Sequence, residues 1–429
     1  MVKKIKLQAP TGMHDILPET QPFFNKVYSV ANSVARFYGF QKIDTPIIED
    51  AELFSKGIGL STDIIEKEMY TFRTKGGDVL ALRPEFTAGI VRSYIEHGMV
   101  NLPQPQKLYS YGPLFRSERP QAGRFRQFNQ VDLEVFGEQD SVIDAQIIQI
   151  FYNILKELKF KNLIVEINSI GDKNCRPYYK KLLVNYFRSR ESSLCTDCRR
   201  RLRYNPLRVL DCKEEKCQPI KAQAPQLVDH LCDECKTHFK EVLEFLDEVE
   251  MPYRLNPYLV RGLDYYTKTV FEIYEDSEAG QRLGALVGGG RFDGLVKMLG
   301  GRDTPACGAA AGVERIVSTL KERMGQESNA SASVKKVFLA QLSGLAKRKS
   351  LKLFEEFRKA KIQVVESLGK DSLKTQLRLA DKIGADYTLI LGQKEALEGV
   401  IIIRNMKTGG QEIVKLDKVV REMGKYLKK

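Results

Sequence analysis

The chain has 429 residues, 43% hydrophobic and 29% charged, with a net charge of +13. That length allows two or three domains, and the composition is that of an ordinary soluble globular protein. No apolar run approaches the ~20 residues that span a bilayer, which excludes a helical membrane protein. The opening MVKKIKLQAPTGMHDILPE has no apolar stretch followed by a cleavage site, so the expected location is the cytoplasm.

Phe23, Phe24, Val27, Val30, Ala31, Val34 and Phe37 recur at helical spacing and predict a helix over 22–38, ended by Gly39. A strand over 40–50 follows, in which Pro46 is tolerable only near an edge or interface. The runs 70–73 and 79–82 flank Gly76-Gly77-Asp78 and predict a hairpin. Arg83-Pro84-Glu85 then opens a helix through Thr87, Ile90 and Tyr94.

The segment 107–137 is the most informative. Leu108, Leu114 and Phe115 lead into Arg116-Ser117-Glu118, where Arg116 and Glu118 share one face at a spacing of two. A basic turn carries Gln121, Gly123, Arg124 and Arg126. The return strand alternates: Val131, Leu133 and Val135 face one way, Gln130, Asp132 and Glu134 the other. Such a hairpin puts an Arg, a Glu and further carboxylates on one polar sheet face. That face either lines a site or is the charged outer side of a half-exposed sheet.

A helix near 144–158 and a strand over 163–168 follow. Six of the eight cysteines lie between Cys195 and Cys235, as Cys195-x2-Cys198, Cys212-x4-Cys217 and Cys232-x2-Cys235, with His238 three residues on. In a cytoplasmic chain this spacing suits a metal better than disulfides, and two such pairs suit tetrahedral Zn²⁺; reduced thiols are the alternative. Cys175 and Cys307 read as small buried residues, and His14 and His97 as structural. Arg199, Arg200, Arg201, Arg203 and Arg208 form a basic run.

No Walker-type glycine loop is present, and no G-x-G-x-x-G follows a strand, so a nucleotide triphosphate must be held by side chains. Arginine suits this, being always charged and bidentate toward phosphate. Arg116, Arg261 and Arg315 lie in polar or glycine-rich settings fit for it. Beyond a polar linker at Ser331-Ala332-Ser333, the order strand, helix, strand, helix, three strands, helix predicts a small α/β domain with a largely parallel sheet. Residues 334–429 carry a balance of +11 against +2 for everything before them. A basic module on a near-neutral body fits a polyanion partner, or reflects a lysine bias that serves solubility.

The 107–137 hairpin closely resembles motif 2 of the class II aminoacyl-tRNA synthetases in its histidyl form. The other family signatures follow in order. The helix and Pro46 strand resemble motif 1. Arg261-Gly262-Leu263-Asp264-Tyr265-Tyr266 resembles a stretch specific to histidyl enzymes, Gly288–Gly294 resembles a second one, and Cys307–Ile316 resembles motif 3. The resemblance implies an α+β catalytic domain built on an antiparallel sheet, with a helical insertion and a C-terminal α/β anticodon-binding domain. The expected domains are 1–325 (insertion about 172–250, its cysteine-rich part 195–235), a linker at 326–333, and 334–429.

The resemblance also implies activation of L-histidine by ATP with Mg²⁺, transfer to histidine tRNA, and a homodimer. Carried over by motif, Arg116 and Arg261 meet the α-phosphate. Glu118 and Arg315 hold the rest of ATP. Glu85, Thr87, Gln130, Glu134, Arg261, Tyr265 and Tyr266 bind histidine. Gln121 and Arg124 are candidate tRNA contacts, and the basic run of the insertion would face the acceptor stem. Two other readings stand beside this one. The first is a non-catalytic paralogue that regulates histidine biosynthesis, which would lack the basic C-terminal module. The second is a tRNA-binding module without catalysis.

Overall fold

The computed structural model describes residues 7–59, 62, 64–120, 123–276, 284–327, 335–367, 369 and 372–428. Its contacts divide the chain into two compact units, Met1–Gln326 and Glu327–Lys429. Gln121 and the linker serines lie outside the described residues.

The first unit is built on an eight-stranded sheet. In spatial order its strands are Gln41–Lys42, Gln106–Phe115, Gln127–Phe136, Ala306–Gly312, Val287–Arg291, Thr267–Glu275, Leu163–Ser169 and Tyr253–Leu255. Only the two outermost pairings are parallel. Alternation along the strands decides the two faces. Tyr109, Leu133, Ala309, Phe271 and Ile167 belong to one continuous core with the helices Gln21–Phe37 and Val142–Glu157. The residues between them face the other way and form the floor described below.

The predicted 40–50 strand is interrupted. Gln41–Lys42 joins the large sheet, while Ile48–Asp50 joins a three-stranded sheet with Val79–Leu82 and Thr71–Arg73. Pro46 has no N–H to give a ladder. Instead the buried Arg83 guanidinium donates to the Thr45 carbonyl at 2.7 Å. The next helix spans Thr87–Glu96 rather than starting at Arg83, because Pro84 disfavours helical geometry at the residue before it. The Glu85 carboxylate accepts from the backbone N–H groups of Thr87 (2.7 Å) and Ala88 (2.8 Å), satisfying two donors that a helix start leaves unpaired.

Between the strands Leu163–Ser169 and Tyr253–Leu255 lies a mainly helical insertion with Arg176–Arg188, Thr196–Tyr204, Gln218–Ala222 and Asp233–Glu248. Among the described residues no helix is long and apolar enough to cross a membrane.

The second unit has a five-stranded sheet in the order Val364–Glu366, Val337–Gln341, Tyr387–Leu391, Val400–Asn405, Gln411–Lys415. It is mixed rather than largely parallel: the first three strands run parallel and the last two add antiparallel. The connection through the short helix Gln393–Glu398 and Gly399 (φ +71°), and the Asn405–Gly410 loop, are both shorter than the dozen or so residues of a parallel crossover. Both faces are covered. Leu339, Leu389 and Ile401 pack on the helices Gly344–Lys359 and Val419–Lys428, while Phe338, Ala340 and Ile390 pack on the side of Leu373–Lys382. That double burial explains why VFLA and LIL read as unbroken apolar runs.

Candidate active site

The floor of the site is the second face of the large sheet. Its cross-strand register aligns Ser110, Asp132, Ala310, Gly288 and Glu272 in one row. Leu108, Glu134, Gly308 and Gly290 form the next. Gln130 stands between Gly112 and Gly312. The glycines make the space. A Cβ on Gly308 would collide with the Glu134 carboxylate, and one on Gly288 with the Arg261 guanidinium. Small residues in motif 3 and in the triple-glycine strand therefore carve a trough into which charged side chains lie flat.

At one end of the trough the expected histidine-binding residues meet. The Thr87 hydroxyl donates to Glu134 Oε1 at 2.6 Å, and the Tyr265 hydroxyl lies 3.3 Å from Thr87 Oγ1 and 3.5 Å from Glu85 Oε2. The rings of Tyr265 and Tyr266 pack at 4.7 Å. Glu85, Thr87, Glu134, Tyr265 and Tyr266 are all buried. Burial and the neighbouring Asp132 carboxylate push Glu134 well above the usual carboxylate range. Burial, then Glu85, does the same to Asp132. Glu134 Oε2 lies over Gly308 with no N–H or hydroxyl donor among the described residues, and the Asp132 carboxylate is close enough to share a proton with it.

The three arginines share this chamber. Arg116 extends from the hairpin with its Nε on the Pro84 carbonyl at 2.9 Å and its guanidinium 5.2 Å from the Phe128 ring. Arg261 pairs with Glu272, which also accepts from the Tyr274 hydroxyl. Arg315, at the start of the helix Val313–Glu327, donates to the Ala285 carbonyl. Common carboxylates connect them: Arg116 and Arg315 both feel Glu118, and Arg261 and Arg315 both feel Glu272. Arg124 lies 3.4 Å from Glu118, at the rim. Motif 3 is tied to the hairpin by Glu314, which accepts from Asn129 N at 2.8 Å and Asn129 Nδ2 at 2.7 Å.

Several residues here escaped the sequence reading. Glu272 and Tyr274 line the trough beside Asp132, which was expected on this face; their signal was the two-residue alternation along VFEIYE. Arg176 and Arg208 carry no such signal. Arg176 donates to the carbonyls of Ile170 (2.9 Å) and Tyr266. Arg208, expected in a surface basic run, is buried and donates to the Arg261 carbonyl at 3.0 Å. Asp264 accepts from Asn205 at 2.8 Å, so the insertion grips the 261–266 loop from two sides. Arg200 pairs with Glu66 at 3.1 Å. His14 packs edge-on against Phe125.

The cysteines group differently from the expectation that two of three pairs among the six from Cys195 to Cys235 would share one metal. Cys195, Cys198, Cys212 and Cys217 form one buried cluster. Cys232 and Cys235 stand apart from it and join Asp172 and Cys175, the latter expected to be a plain core residue. His238 is in neither cluster; its Nε2 lies 3.5 Å from Asp144.

Two family models match the chain: Histidyl-tRNA synthetase over residues 12–171 and 206–316, and Anticodon binding domain over 336–426. The histidine–tRNA ligase of Dehalococcoides mccartyi (strain ATCC BAA-2266 / KCTC 15142 / 195) is 45% identical over 420 residues, 98% of this chain and 100% of that one. That of Caldicellulosiruptor saccharolyticus is 43% identical over 419 residues, 96% and 98% of the two chains. The crystal structure of apo S. aureus histidyl-tRNA synthetase matches with a TM-score of 0.77 at 34% identity, covering 99% of this chain and 100% of that one.

An antiparallel sheet floored with glycine, three arginines from separate motifs and an appended anticodon-binding α/β domain define a class II aminoacyl-tRNA synthetase. Within that class, the chain belongs to the histidyl-tRNA synthetase family.

Proposed function

We infer that the chain is a histidine–tRNA ligase. It joins L-histidine to ATP as histidyl-adenylate, releasing diphosphate, and then passes histidine to the terminal adenosine of histidine tRNA. The observation that carries this is the Thr87–Glu134–Tyr265–Glu85 cluster at the end of a trough edged by Arg116, Arg261 and Arg315. Glu134, with a spare buried lone pair, accepts from the imidazole N–H; an apolar competitor would leave it unpaired and lose affinity accordingly. Glu85 and Thr87 take the α-ammonium, Gln130 and the two tyrosines frame the side chain, and the carboxylate is left facing Arg116 and Arg261.

As that carboxylate attacks the α-phosphorus, negative charge gathers on the phosphoryl oxygens, and two fixed guanidinium groups stabilise it without reorganising. Glu118 receives the adenine amino group and Arg315 the outer phosphates. Glu272 offers a carboxylate of the kind that would hold Mg²⁺, which, bound with the triphosphate, would supply charge neutralisation for the diphosphate. Arg124, at the rim beside Glu118, and Gln121 are read as tRNA contacts.

We place the catalytic domain at 1–325, with its insertion at about 172–250, and the anticodon-binding domain at 334–429, a division supported by the two compact units. Exposed Phe37, Ile47 and Ile48 beside Pro46 support a homodimer through this region. A cytoplasmic location completes the reading, and the cysteine-rich insertion is read as holding structural zinc.

Amino-acid-dependent ATP–pyrophosphate exchange across the twenty amino acids tests the activity. Histidine alone should support exchange. Exchange driven by another amino acid, or none at all as for a regulatory paralogue, would overturn it.

A further inference from the structure

We propose that the insertion carries two structural zinc ions rather than one, and that the second positions the histidine-binding loop. The first ion is held by Cys195, Cys198, Cys212 and Cys217, the second by Asp172, Cys175, Cys232 and Cys235. The ion count deepens the zinc reading above, and the positioning role rests on the ligase reading.

Geometry separates these clusters from chance neighbours. In each set all four ligand atoms lie within 4.8 Å of one another. The Sγ atoms of Cys195 and Cys212 are 3.8 Å apart, as are those of Cys175 and Cys235. A Zn–S bond of about 2.3 Å gives tetrahedral S–S edges of about 3.8 Å. A disulfide would need about 2.05 Å. The two sets share no residue, and together they use seven of the eight cysteines, leaving Cys307 in the sheet core.

The backbone is arranged for thiolates. Cys198 N points at Cys195 Sγ (3.3 Å), Cys195 N at Cys217 Sγ (3.3 Å) and Asp172 N at Cys175 Sγ (3.2 Å). Peptide N–H groups aimed at sulfur favour its charged form. Three ligand pairs have two intervening residues and sit at the starts of the helices Arg176–Arg188, Thr196–Tyr204 and Asp233–Glu248. The segment between Ser189 and Leu231 has only short helices and 3-10 turns, so it has little core of its own and gains from a staple. Residues 172–205, which supply one ligand pair to each set, fall between the two stretches matched by the family model.

The second centre touches the active-site loop. Gly171, beside Asp172, accepts from Lys268 N at 2.8 Å, and Ile170 donates to the Lys268 carbonyl at 2.8 Å. Arg176, beside Cys175, donates to the Tyr266 carbonyl. Glu234, between Cys232 and Cys235, pairs with Lys268 at 2.8 Å. An ion there fixes the turn from which Tyr265 and Tyr266 enter the trough.

The test is metal analysis of the full-length chain, purified without chelators or a metal-binding tag. About two equivalents of zinc are expected, and about one from each of Cys212→Ser and Cys235→Ser, with Cys307→Ser unchanged. Because those variants can misfold, the wild-type chain is also titrated with a mercurial in the presence of a chromogenic zinc indicator, and its zinc X-ray absorption edge is recorded. Release of both ions and a shell dominated by sulfur support the proposal. One equivalent would leave a single zinc site and overturn the pair; less than about a tenth of an equivalent, or iron in its place, would overturn zinc altogether. Cys235→Ser should raise the histidine KM severalfold in exchange with little effect on the ATP KM; an unchanged histidine KM in a Cys235→Ser chain that has lost one equivalent of zinc would remove the positioning role. Exchange by the wild-type chain, scored separately, keeps failure of the ligase reading distinct.

Discussion

Arg261 is the side chain on which the chemistry most depends. It lies in a slot open only because residue 288 has no side chain, and its guanidinium is already oriented by Glu272. Arg261→Ala should slow adenylate formation by about 10²–10³-fold, measured by exchange, with an unchanged circular dichroism spectrum. Glu134 sets the amino acid. Its raised pKa, caused by burial and Asp132, means that acidification protonates it before an exposed carboxyl. The histidine KM should therefore rise as pH falls through that raised value. Glu134→Gln should start from a higher KM and lose the Glu134 component of the profile, while Glu85, also raised by burial, and the substrate imidazole continue to titrate.

Among elements, the triple-glycine strand ends in a structural pair. Arg291, fully buried, donates to Asp144 Oδ2 through its Nε at 2.9 Å and to the carbonyls of Glu138 and Asp140. Burial alone would raise Asp144, but Arg291 and His238 hold it down at about 2, against an ordinary 3.8. A depressed carboxylate contributes stability that is complete above the unfolded pKa and is lost as pH falls through the folded one. Asp144→Asn should cost about 3–5 kcal/mol at neutral pH, since it strands a buried guanidinium. In denaturant titrations its gap to wild type should close as pH falls from about 4 to about 2. Gly308→Ala should act through the neighbouring strand, pushing Glu134 out of place; exchange at saturating ATP should show a raised histidine KM.

Much of this was legible in the chain. Strict alternation in QVDLEVF marked the polar face, and the helices 21–37 and 142–157 followed from their spacing. What sequence concealed was settled by long-range contacts. Pro46 breaks a strand that propensity runs straight through. Glu85 helps to start a helix at Thr87, three residues after the proline that reads as its opening. The cysteine spacing cannot say that Cys232 and Cys235 pair with Asp172, because that depends on where the helix Asp233–Glu248 docks. Arg208 looks like its exposed neighbours and differs only in having the Arg261 carbonyl beside it.

For the molecule as a whole, charge and chemistry reside in different units. The +11 balance of residues 334–429 suits a phosphate backbone, and the trough lies entirely in the first unit. A chain ending at Gln326 should retain histidine-dependent exchange within a few-fold while losing most of its kcat/KM for charging full-length tRNA. Wild-type KM for tRNA should climb steeply with salt, and the truncated chain should show a shallower slope.

The order of the strands also bears on how this protein is made. The hairpin strand Gln127–Phe136 finds its second neighbour only in Ala306–Gly312, with the entire insertion encoded between them. On the ribosome its outer edge therefore stays uncovered while well over a hundred further residues emerge. Nascent chains halted before Gly312 should be the ones that engage holding chaperones, and the trough should acquire affinity for nucleotide in a single late step rather than by degrees.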